Sequence, residues 1–140
     1  MAFYDILSSK GFDVDIKIPE NDIFICANKE AMERVLNNLI SNAIRYGSDG
    51  KYLGIKITDT DESVDISILD KGKGISEKEY SRIFERLYTL EDSRNKNFQG
   101  SGLGLAITKS LVEKMNGEIS VKSRAFKSTI FTVKMKKLNL

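Results

Sequence analysis

Two apolar rhythms follow one another along this chain, and their order leaves few folds open. Residues 13–18 (DVDIKI), 53–60 (LGIKITDT) and 63–70 (SVDISILD) alternate with a period of two, as half-buried strands do. The last of these puts Val64, Ile66 and Ile68 on one face and ends in Asp70. Residues 22–27 (DIFICA) read as another short strand, and 118–123 with 128–135 as a closing hairpin. Residues 29–46 instead space Met32, Val35, Leu36, Leu39, Ile40, Ala43 and Ile44 for a helix, with Asn28 to cap its start and Gly47 to end it. A second helix is expected over 103–115, stopped by a left-handed cap at Asn116-Gly117, and a shorter one over 76–84. The order strand, strand, helix, strand, strand, helix, helix, strand, strand is not the regular alternation of a doubly wound parallel sheet. It predicts a two-layer α/β sandwich with its helices on one sheet face.

Composition removes whole classes of chemistry. A chain of 140 residues is one domain, long enough to bury a core without disulfides or a structural metal. With 41% hydrophobic and 30% charged residues it reads as a soluble globule rather than a disordered chain. No apolar run approaches the roughly 20 residues of a membrane helix, and no signal-peptide stretch follows Met1, so no membrane contact is expected. Cys26 is the only cysteine, which excludes an internal disulfide and fits a reducing, cytoplasmic compartment. There is no histidine, so Ser-His-Asp and Cys-His catalysis, His-ligated zinc and a phosphohistidine on this chain are all excluded. Charge is uneven: residues 1–70 hold 7 Lys and Arg against 13 Asp and Glu, residues 71–140 hold 15 against 7. The basic residues are scattered with few aromatics among them, so nucleic acid is not an expected partner.

Three segments carry chemistry. Asn38 and Asn42 lie four apart in the interior of the first helix, beside its apolar stripe, followed by Arg45 and Tyr46. Asparagine is a mediocre helix former, so the pair is either the polar flank of a surface helix or a functional face. The segment Asp70-Lys-Gly-Lys-Gly-Ile75 joins a strand that ends in a carboxylate to a turn with two glycines. It is either an ordinary turn or a pocket whose carboxylate accepts a hydrogen bond from an exocyclic amine, with glycine allowing close approach. Gly100-Ser-Gly-Leu-Gly-Leu105 opens the second long helix, where peptide N–H groups favour anions. It is neither a dinucleotide fingerprint, whose sixth position here is Leu105, nor a P-loop. Between the two glycine turns, residues 84–99 are polar and aperiodic, the mark of a functional lid or an exposed loop, and hold Arg86, Arg94 and Lys96.

Taken in order, Asn38-Leu-Ile-Ser-Asn42-Ala-Ile-Arg-Tyr46, Asp70-x-Gly-x-Gly-Ile75, Phe84 with Leu87-Tyr88, and Gly100-x-Gly-x-Gly104 resemble one family. They are similar to the N, G1, F and G2 boxes of sensor histidine kinase catalytic and ATP-binding domains, over roughly residues 13–135. The resemblance implies the Bergerat fold shared with DNA gyrase and the Hsp90 chaperones: an α+β sandwich of a mixed, mainly antiparallel sheet with about three helices on one face. It also implies roles. Asp70 would accept from the adenine amino group, with Gly72, Gly74 and Ile75 shaping that pocket. Asn42 would ligate the Mg²⁺ that bridges the ATP phosphates, an ion suited to an amide oxygen. Asn38 would assist the phosphate end, Arg45 would contact phosphate, and Tyr46 would pack near the nucleotide. Gly100, Ser101, Gly102, Leu103, Gly104 and Leu105 would line the triphosphate.

The resemblance also separates kinase from ATPase. Where related ATPases carry a glutamate that activates water, this chain has Asn38, whose neutral amide cannot take the proton. The chain departs from the family at Thr89, where an Arg is frequent, at Leu87, at Asn28, and in the hairpin 123–128, which lacks the usual glycines. With Thr89 uncharged, Arg94 is the choice for the γ-phosphate contact, since a guanidinium can grip two phosphate oxygens. The implied phosphoacceptor histidine belongs to a separate dimerisation domain, so residues 1–12 are expected to be a connecting segment and 13–140 the catalytic and ATP-binding domain. The remaining expectations are a monomeric fragment, a response regulator as partner of the full protein, and a membrane-anchored parent with this domain on its cytoplasmic side.

Overall fold

A computed structural model of the chain describes residues 9–46, 49–80, 82–85, 104–124 and 127–138, the side chain of Tyr46 excepted. Strand β1 (Asp13–Lys17) is followed by helix α1 (Lys29–Tyr46), the antiparallel pair β2 (Tyr52–Asp59) and β3 (Ser63–Asp70), helix α2 (Gly104–Lys114), and the hairpin β4 (Glu118–Arg124) and β5 (Ser128–Lys136). The five strands form one sheet in the order β1-β2-β3-β5-β4. Only β1 and β2 run parallel, joined through α1 as a parallel pair requires.

Alternation builds the layers. Register sets Ile55 beside Ile68 and Phe131, and Ile57 beside Ile66 and Val133. Val121 and Ile119 on β4 continue these two rows. This inner face is covered by both helices, whose Val35, Leu39 and Val112 are fully buried. The outer face is polar, with Ser67 and Thr132 hydrogen-bonded across β3 and β5 at 3.0 Å. α1 begins as expected: Asn28 Oδ1 accepts from the Ala31 N–H at 2.9 Å.

Two expectations need correction. Residues 22–27 form no strand; their pairing is a single bridge between Ile25 and Lys137, because β5 ends at Lys136 and offers no longer partner. Ile23 and Ile25 nonetheless pack against the core while Phe24 stays exposed. The described residues of 76–84 form no regular helix but a 3-10 turn over Glu77–Glu79 followed by further turns. Ser76 makes no side-chain cap there, and the segment is fixed by tertiary anchors at Tyr80, Ile83 and Phe84. Among the described residues the helical layer is therefore α1, α2 and this turn, and no helix is long and apolar enough to cross a membrane.

Candidate functional site

α1 contributes one wall. Asn38 and Asn42 are half-buried, one turn apart, flanking the buried Val35, Leu39 and Ala43. The Asn38 amide Nδ2 donates to Thr108 Oγ1 on α2 at 3.2 Å. The Thr108 hydroxyl in turn donates to the Gly104 carbonyl at 2.7 Å, the backward bond a threonine makes inside a helix. These two bonds join segments 70 residues apart in sequence, tying the asparagine face to the first turn of α2. Arg45 is half-buried in the last turn of α1, and Tyr46 closes that helix. At the start of α2 a Cβ on Gly104 would meet nothing within 4 Å among the described residues, while Leu105 packs against the core.

β3 contributes the floor. Its alternation turns Asp70 inward with Val64, Ile66 and Ile68, and the residue is only 5% exposed. One carboxylate oxygen, Oδ1, accepts from the Gly72 N–H at 2.9 Å. Burial pushes the carboxyl up from its usual range to about 6, with the Gly72 bond working against that rise. The group is thus ionised at pH 7 and costly to keep so. Gly74 takes φ +84°, the left-handed geometry that the turn needs to bring Ile75 back under the sheet.

The turn is clamped from the hairpin. The Ile75 N–H donates to Ser123 Oγ at 2.8 Å. The single Ser123 hydroxyl hydrogen goes to the Ser128 carbonyl at 2.9 Å, so in the 2.8 Å contact with Thr129 Oγ1 it is Thr129 that donates. The Tyr80 hydroxyl accepts from the Ser123 N–H at 2.6 Å and donates to the Ser123 carbonyl at 2.9 Å. Thr129 is opposite Asp70 in register and 3% exposed. Phe84 packs edge-on against Phe131, centroids 6.1 Å apart, with Lys109 Nζ 5.8 Å from its ring.

The structure therefore brings together Asn38 with Gly104 through Thr108, and Asp70 with Gly72, Gly74 and Ile75. Arg94, Gly100, Ser101, Gly102 and Leu103, with Arg86, Leu87, Tyr88, Thr89 and Lys96, lie outside the described residues. Sequence reasoning missed Thr108, Ser123, Thr129 and Tyr80. Thr108 had a signal: it interrupts the apolar positions Leu105 and Val112 on the inward face of its helix. Thr129 had one too, as a polar residue at an inward strand position. Among the described residues no three His, Cys, Asp or Glu side chains could hold a metal by themselves.

Residues 27–139 match the family described as histidine kinase-, DNA gyrase B- and HSP90-like ATPase. The sensor histidine kinase YcbM of Bacillus subtilis is 52% identical over 99% of this chain, which spans 44% of that protein. The signal transduction histidine-protein kinase BaeS of Escherichia coli is 33% identical over 96% of this chain, which spans 28% of it. A nucleotide-free catalytic domain of histidine kinase ThkA superposes with a TM-score of 0.83 at 25% identity, over 97% of this chain and 86% of that one. The chain belongs to the histidine kinase-, DNA gyrase B- and HSP90-like ATPase family, as an ATP-binding catalytic domain of the sensor histidine kinase kind.

Proposed function

We propose that this domain holds ATP with Mg²⁺ and presents the γ-phosphoryl group to a histidine on a separate dimerisation and phosphoacceptor domain. A response regulator takes the phosphoryl group onward, and the parent is a membrane-anchored sensor with this domain on the cytoplasmic side. Residues 1–12 connect to the acceptor domain, residues 13–140 are the catalytic unit, and the isolated chain is a monomer. The observation that carries the reading is Asp70. A carboxylate is kept almost out of water with one oxygen held by Gly72, and burial is the main cause of its raised pKa. A buried carboxylate is expensive, and a ligand amine that donates to it offsets part of that expense.

Roles follow from chemistry. Asp70 accepts from the adenine amino group, in a pocket shaped by Gly72, Gly74 and Ile75. Asn42 offers an amide oxygen to Mg²⁺, and this donor set fits a hard cation that keeps waters and phosphate oxygens as its other ligands. The cation supplies charge neutralisation at the phosphates. Arg45 contacts phosphate, Tyr46 packs by the nucleotide, and residues 100–105 line the triphosphate. Asn38 cannot abstract a proton from water, so ATP is held for transfer rather than hydrolysed. Arg94 grips the γ-phosphate.

Calorimetric titration of ATP and Mg²⁺ into the wild-type chain and Asp70→Asn tests the reading. A lost charge-assisted bond is worth about 1.5–3 kcal/mol, so the variant should bind roughly ten- to a hundredfold more weakly. In parallel, radiolabelled phosphate should pass from ATP to an added acceptor domain that carries its histidine and not to one that lacks it. Equal affinity of the two chains, or labelling of a serine-bearing substrate instead, overturns it.

A further inference from the structure

We propose that Thr108 is a positioning residue that locks the Asn38 amide with its carbonyl oxygen turned toward the nucleotide site, so that Asn38 meets Mg²⁺ or a metal-bound water and not a phosphate oxygen. The inference rests on the reading of the site given above and goes beyond it in fixing the polarity of one amide. Its basis is a count of hydrogens. Thr108 is fully buried and its hydroxyl has one hydrogen. The Gly104 carbonyl, 2.7 Å away, can only accept, so that hydrogen is committed to it. What Thr108 Oγ1 then presents to α1 is a lone pair, and only the NH₂ end of Asn38 can satisfy it, as the 3.2 Å Nδ2 contact has it.

The amide cannot turn over without cost. Reversal would set Oδ1 against Thr108 Oγ1, two acceptors in contact, and strand a buried hydroxyl lone pair. Asn38 therefore has Oδ1 as the end not committed to Thr108. Carbonyl and phosphate oxygens repel, whereas the same carbonyl is a good ligand for a hard cation or acceptor for its water. Asn38 thus helps the phosphate end through the cation, and its helix neighbour Asn42 presents the same chemistry one turn away.

Thr108→Val removes the hydroxyl at nearly constant shape, and Thr108→Ser keeps it. The readouts are ATP affinity with Mg²⁺, ATP affinity in chelator, adenosine affinity, and the side-chain NH₂ resonances of Asn38 in the ligand-free protein. Thr108→Val should lower the Mg²⁺ enhancement of ATP affinity by about tenfold, the usual low end for losing a partner that orients a metal ligand. It should leave adenosine affinity unchanged and shift the Asn38 NH₂ signals, and Thr108→Ser should restore both. A Thr108→Val protein with wild-type Mg²⁺ enhancement, or with unmoved Asn38 signals, overturns the proposal. If wild-type protein binds ATP no better with Mg²⁺ than in chelator, the reading of the metal site itself fails and takes the proposal with it, whereas moved NH₂ signals would still record the lock.

Discussion

In the role proposed for it, the Asp70 carboxyl makes stability and ligand affinity respond to pH in opposite directions. Burial raises it to about 6, so between roughly pH 4 and 6 the folded chain holds a proton the unfolded chain has released. Its contribution to stability is fully present below the unfolded value and is lost as pH rises through about 6, up to about 3 kcal/mol for a shift of this size. Recognition of an amine needs the ionised form, so affinity rises over the same window. ATP titrations should find binding at pH 5 about tenfold weaker than at pH 7, level above pH 7, and Asp70→Asn should show no such slope. A wild-type affinity independent of pH between 5 and 7 would count against Asp70 as the acceptor. This residue was legible in the sequence because strand alternation alone turns it inward. What the hydroxyls of Thr108 and Ser123 do was not, since a hydroxyl acquires its role from a partner 70 or 48 residues away that only packing supplies.

At the scale of elements, the end of α2 shows how a turn signal and a packing demand coincide. The Asn116-Gly117 pair reads in the sequence as a left-handed stop, and the structure divides that work between the two residues. Asn116 takes φ +61°, while the Gly117 N–H donates to the Val112 carbonyl at 2.9 Å and Asn116 N–H to Glu113 O at 3.0 Å, a complete Schellman closure. Gly117 is needed for a different reason: a Cβ there would lie 2.9 Å from the Lys134 carbonyl of β5 and against Met135. Gly117→Ala should therefore cost about 1–3 kcal/mol through overpacking, read as a lower denaturation midpoint with an unchanged slope. A neutral result would mean that α2 and β5 part easily. Long elements were legible because their periodicity is sustained, α1 to its end residues. The stretch 22–27 misled because three consecutive apolar residues, Ile23, Phe24 and Ile25, fit a strand as well as they fit a lid over the core edge.

Across the whole molecule, α1 is at once core and a wall of the proposed site, since the turns that bury Leu39 also carry Asn38 and Asn42. Leu39→Ala should cost about 2–5 kcal/mol. ATP with Mg²⁺ at a hundredfold over its Kd should return about 2.7 kcal/mol, so thermal melts of the variant with and without nucleotide should bracket the loss. A melting temperature that nucleotide leaves unmoved in the wild type would contradict binding to the folded state. One inner row of the sheet, Leu53, Asp70, Thr129 and Ser123, crosses four strands at the site end. Because Ser123 spends its only hydrogen on Ser128, Thr129 spends its own on Ser123 and keeps nothing but lone pairs. The end of the proposed base pocket is then acceptor beside acceptor. In that proposed pocket a purine amino group would meet two acceptors, and a carbonyl oxygen at the same ring position would meet only lone pairs, so the hairpin's hydrogen count would discriminate between them without a contact of its own.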